Sequence, residues 1–353
     1  VKSQAIVEDP SRYLESIQAG RGIAALLVVV HHAAQKAAAL SNGTIPSFDF
    51  GIVGVDLFFM ISGFIIYFVT VHKPATHAEF FEKRLVRIFP LYWGLSLLAL
   101  AIFLVKPGLI NSNASAPTDV AASFLLWPTA APYLVNNGWT LTYEVLFYIL
   151  WGLVALPMAT DRRAVVACAL LLVVAVAGPV MAVDPKVLNL SLFVEFAAGV
   201  LTGVAFHKRW LRPNRGLSAL LLLVGTVLAF VAVEGGMSNS PLRGFVLLVP
   251  VAMMFLGIVL AGPLWRSTPW MLRIGDSSYS LYLFHPFILV LIPIAVRLTG
   301  LQHSAVAVLL IALAGCVAAV AFSFLLYKLV ELPMTNWLRR WVGRVGRSSR
   351  LPA

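Results

Sequence analysis

Ten apolar stretches, each about as long as a bilayer is thick, divide this chain from end to end. A helix rises about 1.5 Å per residue, so roughly 20 apolar residues cross a hydrocarbon core about 30 Å thick. Runs of that kind occupy 18–40, 52–72, 84–105, 139–158, 164–182, 189–207, 216–234, 243–261, 275–298 and 304–330. Within lipid a helix satisfies its own backbone, which predicts an all-α, polytopic bundle of about ten membrane-spanning helices. A shorter apolar piece at 119–134, broken by Pro128 and Pro132, reads as re-entrant or interfacial rather than as an eleventh span. With 60% hydrophobic and 12% charged residues, the chain falls outside the composition of soluble domains.

Orientation follows from the basic residues, because positively charged loops are retained in the cytoplasm. An inside N terminus puts 21 of the 26 Lys and Arg residues on the cytoplasmic side, leaving Lys36, Lys106, Lys186, Arg243 and Arg297 for the other. Both termini are therefore expected inside, with 1–17 a cytoplasmic segment, 18–335 the transmembrane domain and 336–353 a basic cytoplasmic tail. The formal charge of +11 is accounted for by these retention signals and anionic lipid, with no nucleic acid partner needed. The first apolar run is too long for a cleavable signal peptide and lacks a small-residue cleavage site. Cys168 and Cys316 both fall inside predicted spans, which supports neither a disulfide framework nor a metal cluster.

Ionisable residues inside such spans are costly and mark pathways or reaction sites. Arg21 opens the first span and His32 follows eleven residues later, about 16 Å along the helix and on nearly the same face. His32 is thereby expected near mid-membrane, where an imidazole is suited to act as a general base; the alternative is a buried neutral ring bonded to a backbone carbonyl. His31 points about 100° away and reads as structural. At the third span Arg84 and Arg87 share a face beside Lys83. They can fork onto the phosphates of a polyanionic cytosolic ligand such as coenzyme A, or serve only as a topology anchor at lipid headgroups.

In the second span, Ser62-Gly63 offers a small patch for close helix approach or a thin acyl-pantetheine chain, and Asp56 either orients a group across the bundle or sits at the helix entry. In the fourth, Asn136, Asn137, Trp139, Tyr143 and Glu144 combine the amides, aromatics and carboxylate of a sugar-binding mouth, although an aromatic belt also explains Trp139. Glu195 with Gly199 and Gly203 points to close helix packing. The ninth span carries Tyr279, Tyr282 and His285 at three-residue steps, and Pro286 should kink the helix and open backbone carbonyls there. Glu331 either pairs with an inner arginine or caps the last span.

Taken together, RGIAALLVVVHH, GVDLFFMISGFII, KRLVRIFPLYW, NNGWTLTYEVLFY, SYSLYLFHPF and LVELP resemble the acyltransferase 3 family of bacterial integral-membrane acyltransferases, over about residues 12–335. The resemblance implies a multi-pass protein of the bacterial inner membrane that takes an acyl group, usually acetyl from cytosolic acetyl-CoA, to a carbohydrate. The family's arginine and histidine map onto Arg21 and His32, its paired arginines onto Arg84 and Arg87, and its serine-glycine-phenylalanine onto Ser62, Gly63 and Phe64. Many relatives append an outside hydrolase domain. This chain resembles the single-domain members that decorate exopolysaccharide.

On that footing the catalytic set is expected to be His32, Arg21, Glu144 and His285, and the donor set Arg84, Arg87, Ser62 and Gly63. The expected acceptor set is Trp139, Tyr143, Asn137 and Tyr282. Acetyl-CoA is the expected donor with no permanently bound cofactor; the expected partners are a lipid-linked or polymeric carbohydrate, membrane lipid and a second copy of the chain. Direct transfer and an acetyl-histidine relay both fit. The competing class is a proton-coupled transporter using the same polar groups, against which counts the lack of an inverted repeat.

Overall fold

The computed structural model describes residues 10–41, 44–73, 75–110, 117–237, 240–262 and 269–348, with side chains outside 10–14, 160–161 and 342–348. Among the described residues fourteen α-helices follow one another along the chain. They are α1 (Pro10–Leu40), α2 (Val53–His72), α3 (His77–Val105), α4 (Val120–Leu125), α5 (Gly138–Leu150), α6 (Thr160–Val180) and α7 (Phe193–His207). They continue with α8 (Arg215–Glu234), α9 (Arg243–Ala261), α10 (Pro269–Asp276), α11 (Ser278–Leu289), α12 (Leu291–Thr299), α13 (Ala305–Leu326) and α14 (Leu332–Ser348). Ten helical segments among the described residues are long and apolar enough to cross a membrane. The protein is an all-α, multi-pass membrane protein.

Each end of the bundle has a simple cause. Thr76 caps α3 reciprocally with Glu79, so that helix starts at His77 and Lys83, Arg84 and Arg87 sit in its first three turns, below the apolar run. Asn214 and Ser304 cap α8 and α13 with a side-chain oxygen alone, accepting from the Leu217 and Ala307 N–H groups. The end of the bundle that carries Arg84, Lys208 and Arg339 is called the basic end here, and the opposite one, where α1 and α3 finish, the far end.

α2 runs through the middle and packs against α1, α5, α7 and α9. Its approach to α7 is backbone against backbone: a Cβ on Gly63 would overlap the Phe196 carbonyl, and one on Gly199 the Met60 carbonyl. Small residues permit such contact in lipid, where van der Waals packing rather than water exclusion holds helices together.

The piece at 119–134 is short of a span. Only Val120–Leu125 is helical, capped by Asp119, and Leu126 ends it in a left-handed conformation at φ 51°. Tyr92 donates to the Ser123 carbonyl at 2.6 Å and Trp93 to that of Phe124 at 2.9 Å, so the segment dips to the middle of α3. It then returns through Leu134 and Val135 to start α5.

Two interruptions shape the interior. Pro286 lies inside α11, and the helix breaks at Val290 before resuming as α12. α13 passes through a π-turn, Tyr327–Glu331, into α14. The extra residue of such a turn re-aims a side chain, here Glu331, toward the bundle axis.

Candidate active site

Two cavities approach each other from opposite ends. The larger, about 770 Å³, opens at the basic end between α1, α2, α3, α5, α11 and α14 and contains Arg21, Ser62, Arg84, Arg87 and Glu144 on its walls. The smaller, about 590 Å³, lies toward the far end and is lined by His32, Lys36, Asn136, Asn137 and Pro286.

Between them stands a polar septum. Pro286 has no N–H, so the carbonyl four residues earlier, Tyr282 O, loses its helical donor. The Asn137 amide supplies one at 2.6 Å. Thr140, one turn along α5, shares a hydrogen bond of 2.8 Å with the Tyr282 hydroxyl. Thr140 and Tyr282 line the basic-end cavity while Asn137 lines the other, so the wall is about one side chain thick.

His32 and His285 complete it, with His32 Nδ1 2.9 Å from His285 Nε2. The protons can be assigned from the partners. His285 Nδ1 lies 2.9 Å from the Leu281 carbonyl, which only accepts, so Nδ1 carries the hydrogen and Nε2 of a neutral ring is the acceptor. His32 must then donate from Nδ1. Its lone pair is left on Nε2, which has no hydrogen-bond partner among the described residues, on a side chain that lines the far-end cavity. His31, by contrast, is buried and donates to the Phe48 carbonyl at 2.7 Å, tying α1 to the loop before α2.

Deep in the basic-end cavity, Ser62 faces Glu144 at 3.4 Å, and the Tyr148 hydroxyl also bonds Glu144. The two arginines of α3 are in different situations. Arg87 reaches Glu331 at 2.7 Å and stacks on Tyr279 at 5.1 Å, while the other oxygen of Glu331 takes the Ser280 hydroxyl at 2.6 Å. Arg84 makes no ion pair among the described residues, lies 5.6 Å from the rings of both Phe80 and Tyr148, and leaves its buried Nε unpaired. Among the described residues Arg21 bonds Gln18, at 3.4 Å. Arg21 and Arg84 thus make no ion pair among the described residues, with the Glu144 carboxylate on the wall of the same cavity.

The structure brings together His32 with His285, and Arg21 with Arg84, Ser62 and Glu144. It separates others that the sequence grouped. Thr140, Glu144 and Tyr148 recur at four-residue steps on one face of α5, which turns Glu144 to the basic-end cavity, while Asn136 and Asn137 open to the far end. Trp139 and Tyr143 line neither cavity. They meet edge to face at 5.9 Å, and the Tyr143 hydroxyl accepts from the Asn189 N–H. Gly63 faces α7 rather than the cavity that Ser62 lines. Asp56, fully buried, accepts two bonds of 2.7 Å from Arg243, beside the fully buried carboxylate of Glu195.

The comparisons with known proteins speak to the same segments. A family model, the Acyltransferase domain of acyltransferase 3, matches residues 14–328. The chain belongs to the acyltransferase 3 family. This acyltransferase is 30% identical to "Exopolysaccharide production protein ExoZ" of Rhizobium meliloti (strain 1021), over 92% of the chain and 98% of that protein. It is 28% identical to "Nodulation protein 10" of Rhizobium leguminosarum bv. viciae, over 70% of the chain and 75% of that protein. No solved structure matches significantly. Three further residues line the cavities without being among the expected site residues. Tyr148, Thr140 and Lys36 follow Glu144, Asn136 and His32 by four residues, and that spacing was the available signal.

Proposed function

We propose that the chain is an O-acetyltransferase that moves acetyl from acetyl-CoA, bound in the basic-end cavity, to a hydroxyl of a sugar held in the far-end cavity. The observation that carries this reading is the septum: a single histidine with its lone pair directed by a second histidine, standing where two cavities of substrate size nearly meet. The name of the Rhizobium meliloti relative makes an exopolysaccharide, or its lipid-linked precursor, the favoured acceptor.

In this reading Arg84 and Arg21 hold the diphosphate, and the pantetheine arm runs inward past Ser62 and Glu144. His32 Nε2 takes the proton of the acceptor hydroxyl as its oxygen attacks the thioester carbon. The Tyr282 hydroxyl donates to the oxyanion of the tetrahedral intermediate. On collapse the C–S bond breaks, the ester C–O bond remains, and the coenzyme A thiolate takes the proton from His32. The concentration of basic residues at the basic end supports placing it on the cytoplasmic side of the bacterial inner membrane, where an acetyl-CoA donor would enter.

Purified protein given radiolabelled acetyl-CoA and cell-derived acidic or neutral polysaccharide fragments is expected to label the carbohydrate, and His32→Ala protein is not. Acetyl-free polysaccharide from wild-type cells would refute the reading. For orientation, in a Cys168→Ser, Cys316→Ser background, a cysteine at Lys186 should react with an impermeant thiol reagent on intact cells and one at Lys208 should not; the reverse pattern inverts the protein.

A further inference from the structure

The family match stops at residue 328, and the helix beyond it supplies a wall of the donor cavity. Leu332, Thr335, Asn336 and Arg339 of α14 recur at three- and four-residue steps, share one face, and all line the basic-end cavity. α14 packs on α3, the helix that carries Arg84. About 200° round the helix from Thr335 and Arg339, Trp337 and Trp341 are 63% and 56% exposed. Indoles in such positions settle at the membrane–water interface. They would hold the polar face of α14 over the cavity mouth.

Charge at this mouth is unevenly satisfied. Of the carboxylates lining it, Glu331 is taken by Arg87 and Ser280, Asp276 by the Gln18 amide at 2.7 Å, and Glu144 by Ser62 and Tyr148, while Glu82 makes no ion pair among the described residues. Arg339 makes no ion pair among the described residues and is exposed. Arg84 lies further in, half-buried between two rings.

We propose that Arg339 binds a terminal phosphate monoester at the rim of the donor cavity, namely the ribose 3′-phosphate of coenzyme A, and so selects the complete coenzyme; this rests on the acetyl-CoA reading above. Coenzyme A carries a diphosphate mid-chain and a separate dianionic monoester at its adenosine end. With the diphosphate at Arg84, the adenosine end is the part that reaches the mouth. A guanidinium meets a terminal phosphate with two parallel N–H···O bonds, a geometry that Lys73 and Lys83 on the same rim lack.

The test is calorimetric titration of the full-length protein in detergent with coenzyme A and with dephospho-coenzyme A, which lacks only that monoester. Wild-type protein is expected to prefer coenzyme A about tenfold, and Arg339→Ala to remove most of that preference while binding dephospho-coenzyme A within about twofold of wild type. Arg340→Ala, about 100° round the helix and outside the cavity lining, should bind as wild type. Arg339→Gln, which removes the charge but keeps a polar side chain, serves if the alanine variant is not monodisperse. Equal loss for both nucleotides, or no loss for either, overturns the assignment of Arg339. Wild-type protein that binds neither nucleotide refutes the donor reading itself.

Discussion

The imidazoles of His32 and His285, 253 residues apart in sequence, meet with Nδ1 and Nε2 2.9 Å apart and their planes inclined by 19°. Hydrogen bonds run one way through the pair, from His32 to His285 and from His285 to the Leu281 carbonyl. Such a chain fixes both the tautomer and the ring orientation of the outer histidine, which is the task a buried acceptor performs behind a catalytic imidazole. Pro286 contributes indirectly. By freeing the Tyr282 carbonyl for Asn137, it anchors α5 to the turn of α11 that carries His285.

His285 is therefore expected to act on rate rather than on binding. His285→Leu keeps the volume and removes the acceptor, so kcat should fall by roughly 100- to 10,000-fold while the KM for acetyl-CoA stays within about twofold. His285→Gln, whose amide oxygen can accept from His32 Nδ1, should recover part of the loss. Steady-state kinetics on folded protein check this, and a leucine variant of near wild-type kcat would remove His285 from the mechanism.

The neighbouring histidines should separate cleanly. His32→Ala removes the base and is expected to cost about 100- to 10,000-fold in transfer with acetyl-CoA affinity retained. His31→Ala removes a hydrogen bond to the Phe48 carbonyl and should cost about 1 kcal/mol of stability with most activity kept. Activity and thermal unfolding measured on both variants decide it. An essential His31 beside a dispensable His32 would overturn the assignment of the base.

Gly63 is expected to matter for packing and not for donor binding. Its Cα hydrogens face the Phe196 carbonyl across the α2–α7 contact, so Gly63→Ala forces the helices apart at a cost of about 1–3 kcal/mol. Thermal unfolding should shift while acetyl-CoA affinity, measured on the folded fraction, does not. A pure affinity loss at unchanged stability would return Gly63 to the donor site.

Much of the fold was legible because bilayer thickness imposes a length on each span. The spans that begin at 243 and end at 261, or end at Leu40, coincide with the helices, and Pro286 marks the break in α11. Boundaries slipped where the helix continues into water: α3 begins at His77 through its capping box, and α13 runs through a π-turn into α14, where a basic tail was expected. Neither region is apolar enough for a hydropathy scan to include. In the site, spacing along one helix put Arg84 and Arg87 on one cavity wall, whereas Arg21 and His32, expected on nearly one face, line different cavities. Pairings between helices, such as His32 with His285 or Asp56 with Arg243, depend on how the bundle closes, which no single-helix period encodes. The groups expected to form a sugar-binding mouth are divided for the same reason: they lie within nine residues, but the turn of about 100° per residue leaves Asn136 and Asn137 on one cavity, Glu144 on the other, and Trp139 and Tyr143 on neither.

Arg84 and Arg87 look equivalent in sequence, yet their surroundings make opposite demands. Arg87 already balances Glu331, a carboxylate only 3% exposed, so Arg87→Ala leaves a buried charge with Ser280 as its remaining partner. Stranding one member of such a pair costs about 3–5 kcal/mol when both are fully buried, and the partly exposed Arg87 places this case at or below about 3 kcal/mol. Arg84 makes no ion pair among the described residues, and its removal relieves an unpaired buried Nε. Arg84→Ala is therefore expected to leave thermal stability nearly unchanged and weaken acetyl-CoA binding at least tenfold, with the difference from wild type shrinking as salt is raised, because a partly exposed ion pair is screened over about 10 Å at 0.1 M. Arg87→Ala should show the reverse order, a clear loss of stability and a smaller loss of affinity. Calorimetric titration at two salt concentrations, with unfolding curves for both variants, distinguishes them; equal behaviour of the two would mean that Glu331 does not hold Arg87 out of the donor site.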